Sequence, residues 1–377
     1  MKIMNTAYKF LKKKGAETMD ENIPKYLLIV NWVKEQLEKN NLKPGDKLNS
    51  ENELSSMFGV SRQTVRHAVS MLEQEKILDR RRGSGTYICE PEVRKKSKTM
   101  NVAVVTTYID DYIFPTIIKE IERAMSKAGY TVQIAFTHNH IERESAVLQN
   151  ILDRDMVDGI IIEPTKSGIP KPNLELYEEI RRRHLPAIFI NSYYPKIRIP
   201  HVSLDDQAAG YEAARYLLEA GHEKIAGIFK SDDIQGHLRY SGYTKGLLEA
   251  GLKIHDENVL WIDTEDIRNM EADRNRILRR LEGCTACLCY NDEVAFEVVK
   301  ICQKEGIRVP EDMSVIGIDN SDLATHCEVP LTSIELPAQD LGRLAAENLI
   351  KLMEDSSFDA GFEFVPKIVE RNSVKKV

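Results

Sequence analysis

Two closely spaced segments constrain this chain more than any other feature: Ser50-Glu51-Asn52-Glu53-Leu54 and Gly59-Val60-Ser61-Arg62-Gln63-Thr64-Val65-Arg66. They predict two short helices joined by a glycine turn. Ser50 can cap the first helix, because Glu53 three residues on completes a reciprocal capping box. Gly59 suits the turn, since without a Cβ it takes a positive φ at no steric cost. Leu54, Phe58 and Val60, then Val65, Val69 and Leu72, form an inward apolar face. Ser61, Arg62, Gln63, Thr64 and Arg66 then project outward from the start of the second helix. Hydroxyls, an amide and two arginines at a helix N-terminus suit phosphates and major-groove base edges. The front of the chain reads as a DNA-binding module.

The next segment extends that reading. Lys76 to Ile88 predicts a β-hairpin whose tip, Arg80 to Gly85, sets three arginines beside two glycines. Such a tip can approach a minor groove or flanking phosphates closely. Charge is distributed to match. Residues 1–98 carry 20 Lys/Arg against 13 Asp/Glu, a net of +7, and the remainder carries 32 against 46, a net of -14. A basic head on an acidic body concentrates phosphate attraction at the head.

The residues quoted, with Leu48-Asn49 before them and Arg81-Arg82-Gly83-Ser84-Gly85-Thr86-Tyr87-Ile88 after, resemble the winged-helix operator-binding domain of GntR-type bacterial regulators. Asn49 replaces that family's usual proline, and Lys76 its usual glycine. The resemblance implies a winged helix-turn-helix (α+β) domain over residues 22–89, preceded by an extension, 1–21. It places Lys25, Ser50, Glu51, Ser61, Arg62, Gln63, Thr64, Arg66, Arg82, Gly83 and Gly85 at or near nucleic acid. Glu51, an acid, is expected to orient Arg62 or Arg66. Residues 90–99, charged and without periodicity, read as a linker.

No run of about 18 apolar residues occurs, which excludes a membrane-spanning helix, and the N-terminus lacks a signal-peptide core. A cytoplasmic protein is expected. Of six cysteines, Cys284 and Cys287 have metal-ligand spacing, but no second pair or nearby histidine completes a site. Reduced structural thiols, no metal and no cofactor are expected. His222-Glu223 lacks the second histidine of a zinc helix.

From Asn101 onward, β-branched runs alternate with amphipathic helices. Strands are expected at 102–106, 131–136, 159–162 and 187–190, and again at 225–229, 286–290 and 314–318. Alternation of this kind predicts parallel sheets covered on both faces. Two series separated at residues 201–206 predict an α/β body of two lobes with a cleft between them. Ligands of open α/β sheets sit beyond the carboxyl ends of strands. Those ends carry Thr106 to Pro115, Glu163 to Lys166, Asn191 to Tyr194, Asp232 to Arg239, Tyr290 to Glu293 and Gly317 to Asn320. Carboxylates, amides, an arginine and aromatics in one collar suit a polyhydroxylated ligand, because charged groups bridge hydroxyls and flat rings cover the apolar sugar face. Asp292 and Asp319 could equally be helix N-caps, and Tyr112 and Phe114 core aromatics.

The segments Arg239 to Tyr243, Tyr290 to Ala295, Val309 to Asp319 and Leu331 to Ile334 resemble the effector domain of LacI/GalR regulators. That domain shares the two-lobed periplasmic-binding-protein fold, here over residues 100–377. Its junction with a GntR-type head is similar to the arabinose-responsive repressors of Gram-positive bacteria. The resemblance implies an L-arabinose effector facing Glu163, Asn191, Arg239, Asn291 and Asp319, with Tyr112, Lys166, Gln235 and His237 as further members. It also implies release from a palindromic operator by a homodimer joined through the body. The residues alone specify a small polyol or sugar. Two other classes stay open. A sugar-processing enzyme fits strand-end acids, but no phosphate-binding glycine loop, nucleophile elbow or metal pair is present, and His237 is the one candidate base. A plain sugar-binding protein fits the body but not the basic head.

Overall fold

The computed structural model describes residues 24–38, 41–75, 77–81, 84–89, 98–108, 112–170 and 173–377. The expected extension 1–21, most of the linker 90–99, and Lys76, Arg82, Gly83, Asp110 and Asp111 lie outside the described residues. Contacts divide the chain into two compact units, Met1–Ser97 and Lys98–Val377.

The first unit contains α1 (Lys25–Glu38), α2 (Glu51–Phe58), α3 (Arg62–Gln74) and an antiparallel hairpin of β1 (Leu78–Arg81) and β2 (Gly85–Ile88). Ser50 and Glu53 form the expected capping box at the start of α2, and Gly59 ends it in the left-handed region at φ 61°. Ser61 caps α3 by accepting from Thr64 N. Trp32, Leu54, Phe58, Val65, Val69, Leu72 and Ile88 meet in one buried core.

The second unit has two six-stranded sheets. In order come β3 (Asn101–Thr106), α4 (Phe114–Lys127), β4 (Thr131–Phe136), α5 (Ile141–Arg154), β5 (Gly159–Ile162), α6 (Leu174–Arg182), β6 (Ala187–Ile190), β7 (His201–Leu204) and α7 (Asp206–Glu219). Then follow β8 (Ile225–Lys230), α8 (Ile234–Glu249), β9 (Val259–Ile262), α9 (Thr264–Arg268), α10 (Arg274–Leu281), β10 (Ala286–Cys289) and α11 (Asp292–Lys304). The chain closes with β11 (Ser314–Asp319), α12 (Asp322–His326), β12 (Thr332–Glu335), α13 (Ala338–Glu354), β13 (Phe362–Phe364) and β14 (Ile368–Val369). Lobe one carries the sheet β13-β7-β6-β5-β3-β4, and lobe two the sheet β14-β12-β11-β10-β8-β9. All their pairings are parallel except β12 with β14. Continuous apolar strands such as Ile160-Ile161-Ile162 are fully buried, as helix-covered parallel sheets require.

Residues 201–206 are not a bare crossover. His201–Leu204 is a strand between β6 and β13, and the chain changes lobe only after it. It returns to lobe one after β12 and leaves again after β13, so three connections link the lobes. Strand β4 also departs from expectation. It lies at a sheet edge, paired only with β3, and leaves Ile134 and Phe136 exposed.

Candidate functional site

In the first unit, α3 presents Arg62, Gln63 and Arg66 to solvent. Lys25, Ser50 and Ser61 are also exposed, whereas Thr64 is half-buried and hydrogen-bonded to Ser61. The two serine hydroxyls serve their own helix ends, Ser50 through Glu53 and Ser61 through Thr64. Glu51 accepts from Arg66 Nε at 2.9 Å and from an Arg80 terminal nitrogen at 3.3 Å. It therefore orients Arg66 rather than Arg62, and it ties α2 and α3 to the first strand of the wing. Arg66 still leaves 67% of its side chain exposed. Gly85 has φ 125°, which only glycine adopts easily, and a Cβ there would press on the Lys47 side chain. Exposed Arg62, Arg66, Arg80 and Arg81 make the described parts of this helix and hairpin cationic, the charge that a phosphate backbone attracts.

In the second unit, a cavity of about 470 Å³ opens between the lobes at the carboxyl ends of the strands. Tyr112, Glu163, Asn191, Gln235, Arg239, Asn291 and Asp319 all line it. Lys166 and His237 do not. Lys166 reaches back to Asp232 at 3.7 Å, and its backbone N–H donates to Asn139. His237 Nε2 lies 2.8 Å from the Ser231 carbonyl oxygen, with its ring against Trp261.

Arg239 is the most deeply buried of these members, with 1% of its surface exposed. It donates to Asp206 at 2.8 Å, to the Tyr290 carbonyl at 2.7 Å and to Asp319 at 3.3 Å, and its guanidinium lies over the Tyr290 ring. Burial alone would weaken its charge, but the two carboxylates outweigh burial and raise its pKa. Glu163, across the cleft, accepts from Thr107 N at 2.9 Å and from Asn191 Nδ2 at 2.9 Å. Burial raises its pKa despite these donors. Neither Asp292 nor Asp319 is a helix cap: Asn291 caps α11 and Asp319 ends β11. Asp292 instead accepts from Ser321 N at 2.7 Å and Ser333 Oγ at 2.6 Å. Burial and the neighbouring Asp319 charge push its pKa up to about 7.

The lobes touch directly around this cavity. Tyr112 of lobe one donates to Asp319 at 2.8 Å and accepts from Asp292 N at 3.2 Å. Asn139 donates to Thr264 at 2.6 Å, and Gly168 N donates to the Asp232 carbonyl at 3.0 Å. Tyr112, Asn191 and Asp319 all carry positive φ, at 59°, 65° and 108°. Asparagine adopts that region readily, but a tyrosine there is uncommon, and the bonds of Tyr112 across the cleft hold it so.

Residues 25–88 match the family model for bacterial regulatory proteins of the gntR family, and residues 214–374 match a periplasmic binding protein-like domain. The arabinose metabolism transcriptional repressor of Geobacillus stearothermophilus is 35% identical over 363 residues, 95% of this chain and 100% of that relative. The chain belongs to this repressor family. The arabinose metabolism transcriptional repressor of Halalkalibacterium halodurans is 36% identical over 359 residues, covering 91% of this chain and 96% of the relative. Among solved structures, the transcription regulator CcpA of Lactococcus lactis aligns at 27% identity with a TM-score of 0.66, over 73% of this chain and 99% of that one. The repressor is a DNA-binding transcriptional regulator rather than an enzyme.

Sequence reasoning missed several of the repressor's cavity residues. Asp206, which is not itself in the lining but anchors Arg239 from 33 positions away, carries no local signal for its buried ion pair. Arg268, from the short helix α9, reaches Tyr108 at the cavity wall. Lys230 lines the cavity too, so His237 is not the one basic candidate there, and His237 itself is absent from the lining. Lys230 ends an apolar run, Ile225-Ala226-Gly227-Ile228-Phe229, and a lysine closing a strand usually reads as a solvent-side terminator. Cys287 and Cys289 are buried thiols in β10, and no disulfide joins the described cysteines. Among the described residues no helix is long and apolar enough to cross a membrane.

Proposed function

We propose that this repressor binds L-arabinose in the inter-lobe cavity and that binding releases a palindromic double-stranded operator from the winged-helix unit. The carrying observation is the cavity itself, where Arg239 and Asp319 on one wall face Glu163 and Asn191 on the other. A hydroxyl both donates and accepts, so cation–carboxylate and amide–carboxylate pairs suit vicinal hydroxyls. The lining carries five carboxylates (Glu163, Asp233, Glu293, Asp319 and Asp322) against three cations (Lys230, Arg239 and Arg268). That excess disfavours a phosphate or a sugar acid and favours a neutral sugar. The relatives' names supply arabinose as the first sugar to test.

The active form is a cytoplasmic homodimer joined through the second unit. Exposed Ile134 and Phe136 on the edge strand β4 support this, because unpaired apolar edges are normally covered. Sedimentation as a monomer at operator-binding concentrations would remove this part of the reading. A two-fold dimer matches a two-fold operator.

Calorimetric titration with L-arabinose, D-xylose and D-galactose tests the sugar. L-arabinose should bind tightest, and Asp319→Ala should weaken it by at least tenfold, since a charge-assisted bond contributes about 1.5–3 kcal/mol. Operator retardation by that variant should persist at sugar concentrations that release the parent. Unchanged release would contradict the assignment of the cavity.

A further inference from the structure

We propose that Lys230 and Asp233 form a second hydroxyl-reading pair in the cavity, separate from Arg239 and Asp319. This rests on the sugar reading above and names side chains that would contact the ligand within it. Lys230 is 8% exposed at the end of β8 and lines the cavity. Its ammonium carries three N–H donors. Asp233 Oδ2 accepts one at 2.5 Å. The other nearby carboxylate, Asp232, stands at 3.7 Å, beyond hydrogen-bond length. Among the described residues no other acceptor lies within hydrogen-bond distance of Lys230 Nζ. A buried ammonium with unfilled donors is costly, and a ligand oxygen in the cavity would fill them.

Asp233 gives an independent sign. It occupies the N-cap position of α8, where an aspartate ordinarily accepts from the helix's first N–H groups, yet it makes no side-chain cap bond. Its carboxylate turns to Lys230 and to the Tyr290 hydroxyl instead. The chain forgoes a helix cap to hold this carboxylate against the cavity lysine. Across the cleft, Asn191 Oδ1 is buried without a hydrogen-bond partner while its Nδ2 serves Glu163. The cavity thus holds unfilled donors on one wall and an unfilled acceptor on the other. A ligand with one hydroxyl accepting from Lys230 and a hydroxyl donating to Asn191 Oδ1 would satisfy both.

The test is calorimetry on the full chain with L-arabinose and a set of its monodeoxy derivatives. The parent is compared with Lys230→Met and with Lys230→Met/Asp233→Asn, which removes both charges together. Both variants should bind L-arabinose about 10- to 100-fold more weakly. One deoxy derivative that binds the parent poorly should cost the variants little further affinity, because the group that read the missing hydroxyl is gone. A merely structural lysine would lower affinity for every sugar by the same factor. That result, affinity equal to the parent, or loss of cooperative melting in both variants would overturn the pair while leaving sugar binding in place. Failure of the parent to bind any sugar would overturn the sugar reading, and the pair with it.

Discussion

Single residues show how this chain turns chemistry into geometry. Glu51 is an acid on a cationic surface, and its bonds to Arg66 and Arg80 explain why it belongs there. Its orienting role was legible in the sequence, although the partner among two arginines was not, because helix phase alone does not fix which guanidinium folds back. Arg66→Ala should abolish operator retardation while sugar affinity stays within about twofold; unimpaired retardation would remove α3 from the DNA. Asp292 makes a pH prediction. Its folded-state pKa of about 7 lies above the ordinary aspartate value of 3.8, so the folded state binds the proton more tightly. Its contribution is therefore most favourable at low pH and is lost as pH rises from about 4 towards 7, on the order of a few kcal/mol at most. Asp292→Asn should flatten that part of the melting-temperature profile of the sugar-free protein. A profile of unchanged slope would contradict the assigned burial. Lys166 and His237 teach the opposite lesson. Both stand beside cavity residues in sequence, yet local bonds to Asp232, Asn139 and Ser231 take them away from the lining.

At the scale of elements, alternation of apolar runs made most strands and helices legible, because a buried parallel strand needs little besides β-branched residues. The short strands β7, β9, β12, β13 and β14 were not, since pairing with other strands of the sheet rather than their own pattern holds them extended. The packing of α7 on α8 was equally hidden. Gly210 and Gly242 sit where the two helices touch backbone to backbone: a Cβ at Gly242 would overlap the Gln207 carbonyl oxygen, and one at Gly210 the Arg239 carbonyl oxygen. Helix α8 carries Arg239, so this close approach sets the depth at which the guanidinium enters the cavity. Gly242→Ala should lower stability by about 1–3 kcal/mol in denaturant unfolding and weaken sugar binding with it. A variant as stable as the parent would mean that the helices can separate freely.

For the whole molecule, the division of labour follows from charge and topology. A cap, a turn glycine and two arginines announced the DNA-binding unit at once, because that recognition is local in sequence. The cavity is assembled from strand ends more than 200 residues apart, as Tyr112 and Asp319 illustrate, so only its chemistry could be read beforehand. Three inter-lobe connections and direct bonds such as Tyr112 to Asp319 make lobe closure the element that a ligand can bias. If the sugar and the operator favour different closures, each must weaken the other by the same factor. Fluorescence anisotropy of a labelled operator, titrated with L-arabinose at fixed salt, measures that coupling directly. Operator affinity should fall 5- to 150-fold as the sugar saturates, matched by an equal loss of sugar affinity in the operator-bound protein. An operator affinity that stays constant through saturation with sugar would contradict the account.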